Sequence, residues 1–238
     1  MIDMDFSGVY QRRERLAEVS ISLTDLPGTN AYCSDEAANV IREKLAELSA
    51  EGLHFLDSGN YHYASLFWLE KISEPYQLIV FDHHSDMQPS AWGDELLSCG
   101  SWIRTALLRD PHLQKVWIAG THEETYMKEM RDKICLLTEA DLYEPDGAFA
   151  DLDGTMPVYI SVDKDVLSEE AVNTNWDQGT LQTDVLLSCL QYLIREYHVI
   201  GIDVCGEPES NAPDAEIQNS EVIDRKICQI LHENGWGK

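Results

Sequence analysis

The sequence has no apolar stretch long enough to cross a bilayer, and it has few basic residues. A membrane-spanning helix needs about 20 consecutive apolar residues, and no run in this chain approaches that length. Lysine and arginine number 17 against 43 aspartates and glutamates, which gives a net charge of −26 at pH 7. The absence of a long apolar run excludes a membrane span. A surface of this charge repels phosphates, which argues against a nucleic-acid partner. The charge is compatible with a cationic small-molecule substrate or a bound metal.

The sequence also lacks the marks of a secreted protein. The first residues are acidic and do not resemble the basic start and apolar core of a signal peptide, so the cytoplasm is the expected location. The six cysteines include no CxxC pair, and a disulfide framework is not expected in an intracellular chain of this size. Cys135, Cys189 and Cys205 lie in apolar segments and are predicted to be buried core thiols.

Predicted strands alternate with predicted helices along the chain. The strands are expected at residues 53–56, 77–81, 115–119, 134–137, 157–162 and 198–204. The helices are expected at residues 63–72, 101–108, 123–132, 183–196 and 215–232. This alternation predicts an α/β fold with a mainly parallel sheet covered by helices on both faces. No low-complexity linker or internal repeat divides the chain, so residues 1–238 are predicted to form a single domain.

Acidic and imidazole side chains follow one predicted strand directly. Asp82, His84 and Asp86 occupy alternate positions after the apolar run 78–81. Alternate side chains of an extended chain point to the same side, so an extended tip would aim all three at one point. Burying so many ionisable groups is costly unless a cation compensates them. The pattern therefore predicts a metal site at the carboxyl end of this strand.

A second predicted strand ends in a similar way, with Asp163 and Asp165 after residues 157–162. A DxD pair alone is more typical of a solvated turn or a helix cap. Two acidic strand tips in one parallel sheet, however, favour a shared polynuclear metal site. Mixed carboxylate and imidazole ligands suit manganese or iron, whereas thiolates would favour zinc. Because no cysteine belongs to either motif, manganese or iron is favoured over a structural zinc.

The motifs resemble those of the ureohydrolase family, which includes arginase, agmatinase and formiminoglutamase. The family's DAHxD motif corresponds to residues 82–86, and its SxDxDxxDP motif corresponds in part to residues 161–165. An earlier family motif, GGDHS, is matched by Gly59 and His62. Without the resemblance, His62 would be as well explained as a hydrogen-bonded structural residue. The resemblance extends over most of the chain.

The resemblance implies a three-layer α/β/α sandwich, a fold shared with deacetylases, and a centre of two Mn²⁺ ions, with Zn²⁺ or Fe²⁺ as alternatives. One ion would be held by His62, Asp82, Asp86 and Asp163. The other would be held by Asp82, His84, Asp163 and Asp165. In the family, a water bridging the two ions loses a proton and attacks a guanidinium carbon, which releases urea and an amine. Homo-oligomers, as trimers and hexamers, occur in the family.

Several positions depart from the family pattern. The Asp-Pro that ends the third family motif is Ser168-Glu169 in this chain. A family histidine that transfers protons is replaced by Cys99, which is either the proton carrier or merely the start of a helix. Glu207 lies one position away from a glutamate that contacts the substrate guanidinium, and it is either that contact or a plain loop acid. His122, which follows the strand at 115–119, is a further residue on the predicted functional rim.

Three functions are therefore consistent with the sequence. The first is a manganese-dependent hydrolase of a linear C–N bond, acting on a guanidino compound or a related amide. The second is a deacetylase-like amidohydrolase, in which Asp82, His84 and a later aspartate hold one zinc ion. The third is a degenerate family member that binds a metal or a metabolite without catalysis.

Overall fold

The computed structural model describes residues 1–89, 96–121 and 128–236. Its strands are β1 (Ile2–Asp5), β2 (Val19–Ser22), β3 (Tyr32–Cys33), β4 (Gly52–Phe55), β5 (Tyr76–Phe81), β6 (Leu97–Ser98), β7 (Leu113–Ala119), β8 (Ile134–Leu137), β9 (Val158–Asp163) and β10 (Val199–Cys205). Its helices are α1 (Asp35–Leu45), α2 (Ser65–Leu69), α3 (Trp102–Arg109), α4 (Pro145–Ala148), α5 (Thr183–Glu196) and α6 (Asp214–Glu233). Short 3-10 turns include Gly59–Ala64, Cys99–Ser101, Lys128–Lys133, Asp141–Tyr143 and Lys164–Val166.

The central sheet contains eight strands in the order β2-β1-β4-β10-β9-β5-β7-β8, and every neighbouring pair is parallel. A separate antiparallel pair joins β3 to β6. Strands β5 and β9 are buried along their whole length, which explains their nearly continuous apolar sequences. The predicted mainly parallel α/β fold is therefore confirmed.

Each face of the sheet is covered by its own apolar cluster. Along β5, Leu78 and Val80 pack on the side that carries α1, α2 and α3, whereas Ile79 and Phe81 pack on the side that carries α5 and α6. The alternation follows from the two-residue period of a strand. Helices on both faces of the sheet give the three layers that the resemblance implies.

The observed elements agree with the predicted ones most closely in the second half of the chain. Helix α5 has the predicted bounds, and β9, β10 and α6 differ from prediction by one residue at each end. The predicted helix at 63–72 is a 3-10 turn followed by the short helix α2. No element was predicted before residue 53, where β1, β2, β3 and α1 lie. His122 and residues 123–127 of the predicted helix 123–132 lie outside the described residues, and the rest of that helix is the 3-10 turn Lys128–Lys133.

The carboxyl ends of β10, β9 and β5 meet at one edge of the sheet. The pairing places Phe81 beside Val162 and Cys205 beside Asp163. Residues that follow these strands are therefore brought together, as expected for a parallel sheet. No helix in the described part of the chain has the length and apolar character of a membrane span.

Candidate metal centre

The six predicted ligands come from three segments at this edge of the sheet. His62 lies in the 3-10 turn after β4, while Asp82, His84 and Asp86 follow β5. Asp163 ends β9, and Asp165 lies in the 3-10 turn Lys164–Val166. All six side chains are buried except that of His84, which is 21% exposed. The structure therefore brings the predicted residues together at the bottom of one pocket.

The first group of side chains is the His62 cluster, which consists of His62, Asp82, Asp86 and Asp163. His62 Nδ1 lies 3.2 Å from Asp82 Oδ2, 3.1 Å from Asp86 Oδ2 and 3.5 Å from Asp163 Oδ2. Ligand atoms of His62, Asp82 and Asp86 all lie within 4.8 Å of one another. One imidazole nitrogen and three carboxylate oxygens thus converge on one small volume.

The second group is the His84 cluster, which consists of Asp82, His84 and Asp165. His84 Nδ1 lies 2.9 Å from Asp165 Oδ2 and 3.6 Å from Asp82 Oδ1. Asp82 therefore directs Oδ2 toward the His62 cluster and Oδ1 toward the His84 cluster. A carboxylate placed in this way can serve two cations at once.

The segment after β5 is turned, and it does not continue as the extended tip that the alternation predicts. Asp86 has a φ of +48°, in the left-handed region that few residues other than glycine adopt. The Trp102 indole N–H donates to Asp86 Oδ2 at 2.6 Å, and the Asp86 carbonyl accepts from Ile103 N at 3.1 Å. These contacts with α3 hold the turn, which is why Asp86 faces His62 while His84 faces Asp165.

The electrostatics of the two clusters fit bound cations. Burial, together with Asp165, raises the pKa of Asp163 to about 7, and burial, together with Asp82, raises the pKa of Asp165 to about 7. Asp82 Oδ2 is buried and accepts no hydrogen bond from the described residues. Carboxylates so close together in a medium of low dielectric constant oppose each other's ionisation, and divalent cations remove that penalty. The donor set of oxygen and imidazole nitrogen suits manganese, iron or zinc.

Each cluster histidine is oriented through its second ring nitrogen. His62 Nε2 lies 2.9 Å from Ser161 Oγ, and Ser161 donates to Asp203 Oδ1 at 2.5 Å. Because the Ser161 proton goes to Asp203, the Ser161 oxygen can accept from Nε2–H of His62, and Nδ1 is the ring nitrogen that faces the carboxylates. His84 Nε2 likewise lies 3.2 Å from Asp177 Oδ1. Such partners fix the tautomer and the ring orientation of a metal-binding histidine.

The sequence does not indicate these orienting partners. Ser161 and Asp203 are predicted only as strand residues, yet they are paired directly across β9 and β10. Asp177 is exposed in a loop far along the chain from His84. The register of two parallel strands would have indicated the first pair, whereas no local signal indicates Asp177.

Further residues line the mouth of the pocket, namely Gly59, Gln88, Cys99, Gly100 and Trp176. Trp176 is 40% exposed, and its indole N–H donates to Asn60 Oδ1 at 3.0 Å. The predicted proton carrier Cys99 does lie at the pocket, and it also begins the turn before α3. Burial and the Asp86 carboxylate raise the pKa of the Cys99 thiol to about 12. The thiol is therefore protonated at neutral pH.

The structure places Glu207 in a different environment from the other candidates. Gly206, with a φ of +84°, ends β10 in a turn, and a Cβ at that position would lie 2.5 Å from Asp163 Oδ1. Beyond this turn, Glu207 is 1% exposed, and its carboxylate lies 2.8 Å from Arg13 Nη1 and 3.0 Å from Lys164 Nζ. Glu207 is not among the residues that line the pocket.

Cys205 and Cys189 are buried, as predicted, whereas Cys135 is only half-buried. The two metal motifs contain no cysteine, but the structure places Cys205 beside their ligands. Its Sγ lies 3.1 Å from Asp163 Oδ2, and its sulfur forms a group with His62 and Asp163 whose ligand atoms lie within 4.8 Å of one another. The sequence alone conceals this contact because Cys205 is 42 positions away from Asp163. Only the pairing of β10 with β9 brings the two side chains to one face.

Comparisons with known proteins agree with this architecture. A model of the arginase family matches residues 9–219. An uncharacterised protein of Thermotoga maritima is 32% identical over 237 residues, covering 96% of this chain and 88% of the relative. The proclavaminate amidino hydrolase of Streptomyces clavuligerus is similar in structure, with a TM-score of 0.70 at 16% identity over 96% of this chain and 90% of the other.

A second solved structure, the formiminoglutamase of Trypanosoma cruzi with Mn²⁺, gives a TM-score of 0.67 at 13% identity. The similarity covers 92% of this chain and 75% of the formiminoglutamase. At such low identities the two structures support the fold alone. The family match covers well over half of the sequence, and the Thermotoga relative is similar over nearly the whole of it. The chain therefore belongs to the arginase family.

Proposed function

We propose that this protein is a metal-dependent hydrolase of a linear C–N bond in a small cationic substrate of the guanidine or amidine class. The observation that carries the proposal is the placement of Asp82, which presents one carboxylate oxygen to each of two clusters. The ligands proposed for one ion are His62, Asp82, Asp86 and Asp163. The ligands proposed for the other are Asp82, His84, Asp163 and Asp165.

The proposed cofactor is a pair of Mn²⁺ ions, with Zn²⁺ or Fe²⁺ as alternatives. Oxygen-rich sites with imidazole nitrogens suit manganese, and the Trypanosoma formiminoglutamase was crystallised with that ion. When bound, two such ions supply a water whose pKa is lowered to near neutrality and which then serves as the nucleophile. The chain's own part is to hold its ligands in place through Ser161, Asp203 and Asp177.

A cationic substrate suits the acidic chain, whose net charge is −26 at pH 7, although the two proposed ions would balance the carboxylates of both clusters that line the pocket. Guanidinium and amidinium groups are planar cations that donate several hydrogen bonds to carboxylates. The indole of Trp176 at the mouth offers an aromatic face on which such a cation can lie. The names of the two solved relatives, an amidino hydrolase and a formiminoglutamase, describe substrates of the same chemical class.

A product assay tests this proposal directly. The purified protein, supplied with Mn²⁺, is incubated with arginine, agmatine, guanidinobutyrate and formiminoglutamate, and the released urea, formamide or amine is measured by mass spectrometry. We expect turnover of at least one substrate, a loss of that turnover in Asp82→Asn, and its retention in Asp184→Asn. Asp184 is an exposed acid on α5 and serves as the matched control.

Other results would favour the remaining hypotheses. If the protein releases acetate from an acetyl-lysine peptide and binds one zinc ion per chain, the deacetylase-like hypothesis replaces this proposal. The His62 cluster has no evident use in that hypothesis. Failure to turn over any of these compounds, with Asp82→Asn changing only the melting temperature, would favour a non-catalytic metal-binding protein.

A further inference from the structure

Cys205 lies on the same face of the sheet as the ligands of the His62 cluster. Strands β9 and β10 are parallel, and their register pairs Asp203 with Ser161 and Cys205 with Asp163. Side chains two residues apart on a strand share a face. Asp203 contacts Ser161, and Ser161 contacts His62. Cys205 is two residues after Asp203, so its thiol lies on the same face of β10 and nearer to the carboxyl end of the strand.

The thiol is close enough to share an ion with this cluster. Cys205 Sγ lies 3.1 Å from Asp163 Oδ2, and Asp163 Oδ2 lies 3.5 Å from His62 Nδ1. The sulfur, a nitrogen of His62 and an oxygen of Asp163 lie within 4.8 Å of one another. Atoms this close can bind one ion after small side-chain movements, because metal–ligand bonds of this kind are about 2.0–2.3 Å long.

A second observation identifies the same place as a cation site. Asp82 is 1% exposed, and its Oδ2 atom has no hydrogen-bond partner among the described residues. This oxygen lies 3.2 Å from His62 Nδ1. A buried carboxylate oxygen that accepts no hydrogen bond is costly, and a cation between it and the imidazole nitrogen would compensate it.

We infer that Cys205 supplies a sulfur ligand to the ion held by the His62 cluster, an inference that rests on the metal centre proposed above. A thiolate favours zinc or other borderline metals, while carboxylates favour manganese. The His62 cluster would then prefer Zn²⁺, Co²⁺ or Fe²⁺, and the His84 cluster, which has no sulfur, would accept Mn²⁺. The protein thus holds two unlike ions when both kinds of metal are present.

Two other thiols serve as controls for the test. Cys99 lines the same pocket, so it reports whether any thiol near the centre gives the same signal. Cys189 is buried in the apolar cluster on the opposite face of the sheet, where its Sγ lies 3.3 Å from the carbonyl of Leu142. The three substitutions Cys205→Ser, Cys99→Ser and Cys189→Ser are matched in size.

Cobalt(II) is the probe because its bond to a thiolate gives a charge-transfer band in the near ultraviolet, whereas zinc has a filled d shell and gives none. The metal-free protein is titrated with Co²⁺ while the bound cobalt is counted by mass spectrometry. We expect the band in the wild-type protein, Cys99→Ser and Cys189→Ser, and its loss in Cys205→Ser. In a competition between Zn²⁺ and Mn²⁺, Cys205→Ser should weaken the zinc preference by about tenfold or more.

The outcomes separate this inference from the metal centre on which it rests. Two cobalt ions per wild-type chain without the band would overturn the sulfur ligand and leave the centre intact. A band that disappears in Cys99→Ser and persists in Cys205→Ser would also overturn it. Failure of the wild-type protein to bind cobalt would overturn the centre itself. Where Cys205→Ser fails to fold, the wild-type protein and Cys99→Ser decide the matter together: a band in both supports Cys205, and a band that is missing from either overturns the inference.

Discussion

The guanidinium of Arg13 lies 2.8 Å from the carboxylate of Glu207, and the two side chains are only 3% and 1% exposed. Lys164 and Asp224 complete a buried cluster of two cations and two carboxylates, with Lys164 Nζ 3.0 Å from each acid. Burial alone would raise the pKa of Glu207, but Lys164 and Arg13 lower it to about 2. The charge of Glu207 is therefore balanced within the protein, and its contact with a substrate remains a prediction.

Arg13→Met should destabilise the fold strongly. Removing one cation leaves buried carboxylates uncompensated, a change that typically costs about 3–5 kcal/mol. The free energy of unfolding is measured by urea denaturation with Arg12→Met as the matched control. Arg12 pairs with Asp214, whose side chain is 82% exposed, so the control should lose less than about 1 kcal/mol. Equal small losses in both variants would contradict a structural role for the buried cluster.

Ser161→Ala should weaken metal binding without removing any metal ligand. The substitution deletes the hydroxyl that lies between His62 Nε2 and Asp203. Loss of such an orienting partner typically reduces metal affinity by about 10–100-fold. Isothermal titration with Mn²⁺ measures the effect, and Ser65→Ala is the control because the Ser65 hydroxyl contacts Asp203 and, at 3.3 Å, Ser161 Oγ, but not the imidazole. An unchanged affinity in Ser161→Ala would show that the relay does not orient His62.

His54 should make the protein sensitive to acid. This residue stacks on Trp68 with a ring separation of 3.7 Å, and burial lowers its pKa to about 3. Below the ordinary histidine pKa of about 6.5, the unfolded chain binds a proton that the folded chain excludes, so stability falls as the pH falls toward 3.

His54→Phe keeps an aromatic ring on Trp68 and removes the imidazole that binds this proton in the unfolded chain. Between pH 6 and pH 4, the free energy of unfolding of the wild-type protein should fall more steeply than that of the variant, by about 1.4 kcal/mol per pH unit. Chemical denaturation at several pH values measures both slopes. Parallel slopes would show that His54 is protonated in the folded state.

The sequence predicted the parts of this molecule that are determined by local pattern. Continuous apolar runs identified β5 and β9 because both faces of these strands are buried. The motif spacing predicted that His84 and the acids of two strand tips lie at one edge of the sheet, because the carboxyl ends of parallel strands meet there. The domain boundaries and the assignment of individual residues to metal ions remain predictions.

What the sequence did not predict depends on pairing between distant segments. Strands β1 and β2 are four residues each, too short for their periodicity to stand out. No element was predicted in the stretch 139–153, yet it contains α4, and its Leu142 and Phe149 side chains are fully buried. The contacts of Cys205 with Asp163 and of Glu207 with Arg13 join positions that are far apart in the chain. Each arises from strand register or loop packing that no local pattern encodes.

The metal content of the purified protein tests the central claim most directly. After loading with Mn²⁺ and removal of excess ion, metal per chain is counted by mass spectrometry in the wild-type protein, Asp82→Asn and Asp184→Asn. Because Asp82 gives one oxygen to each cluster, we predict two ions per chain in the wild-type protein and in Asp184→Asn, and fewer than one in Asp82→Asn. A wild-type chain that binds no stoichiometric metal, or an Asp82→Asn chain that keeps two ions, would contradict the account.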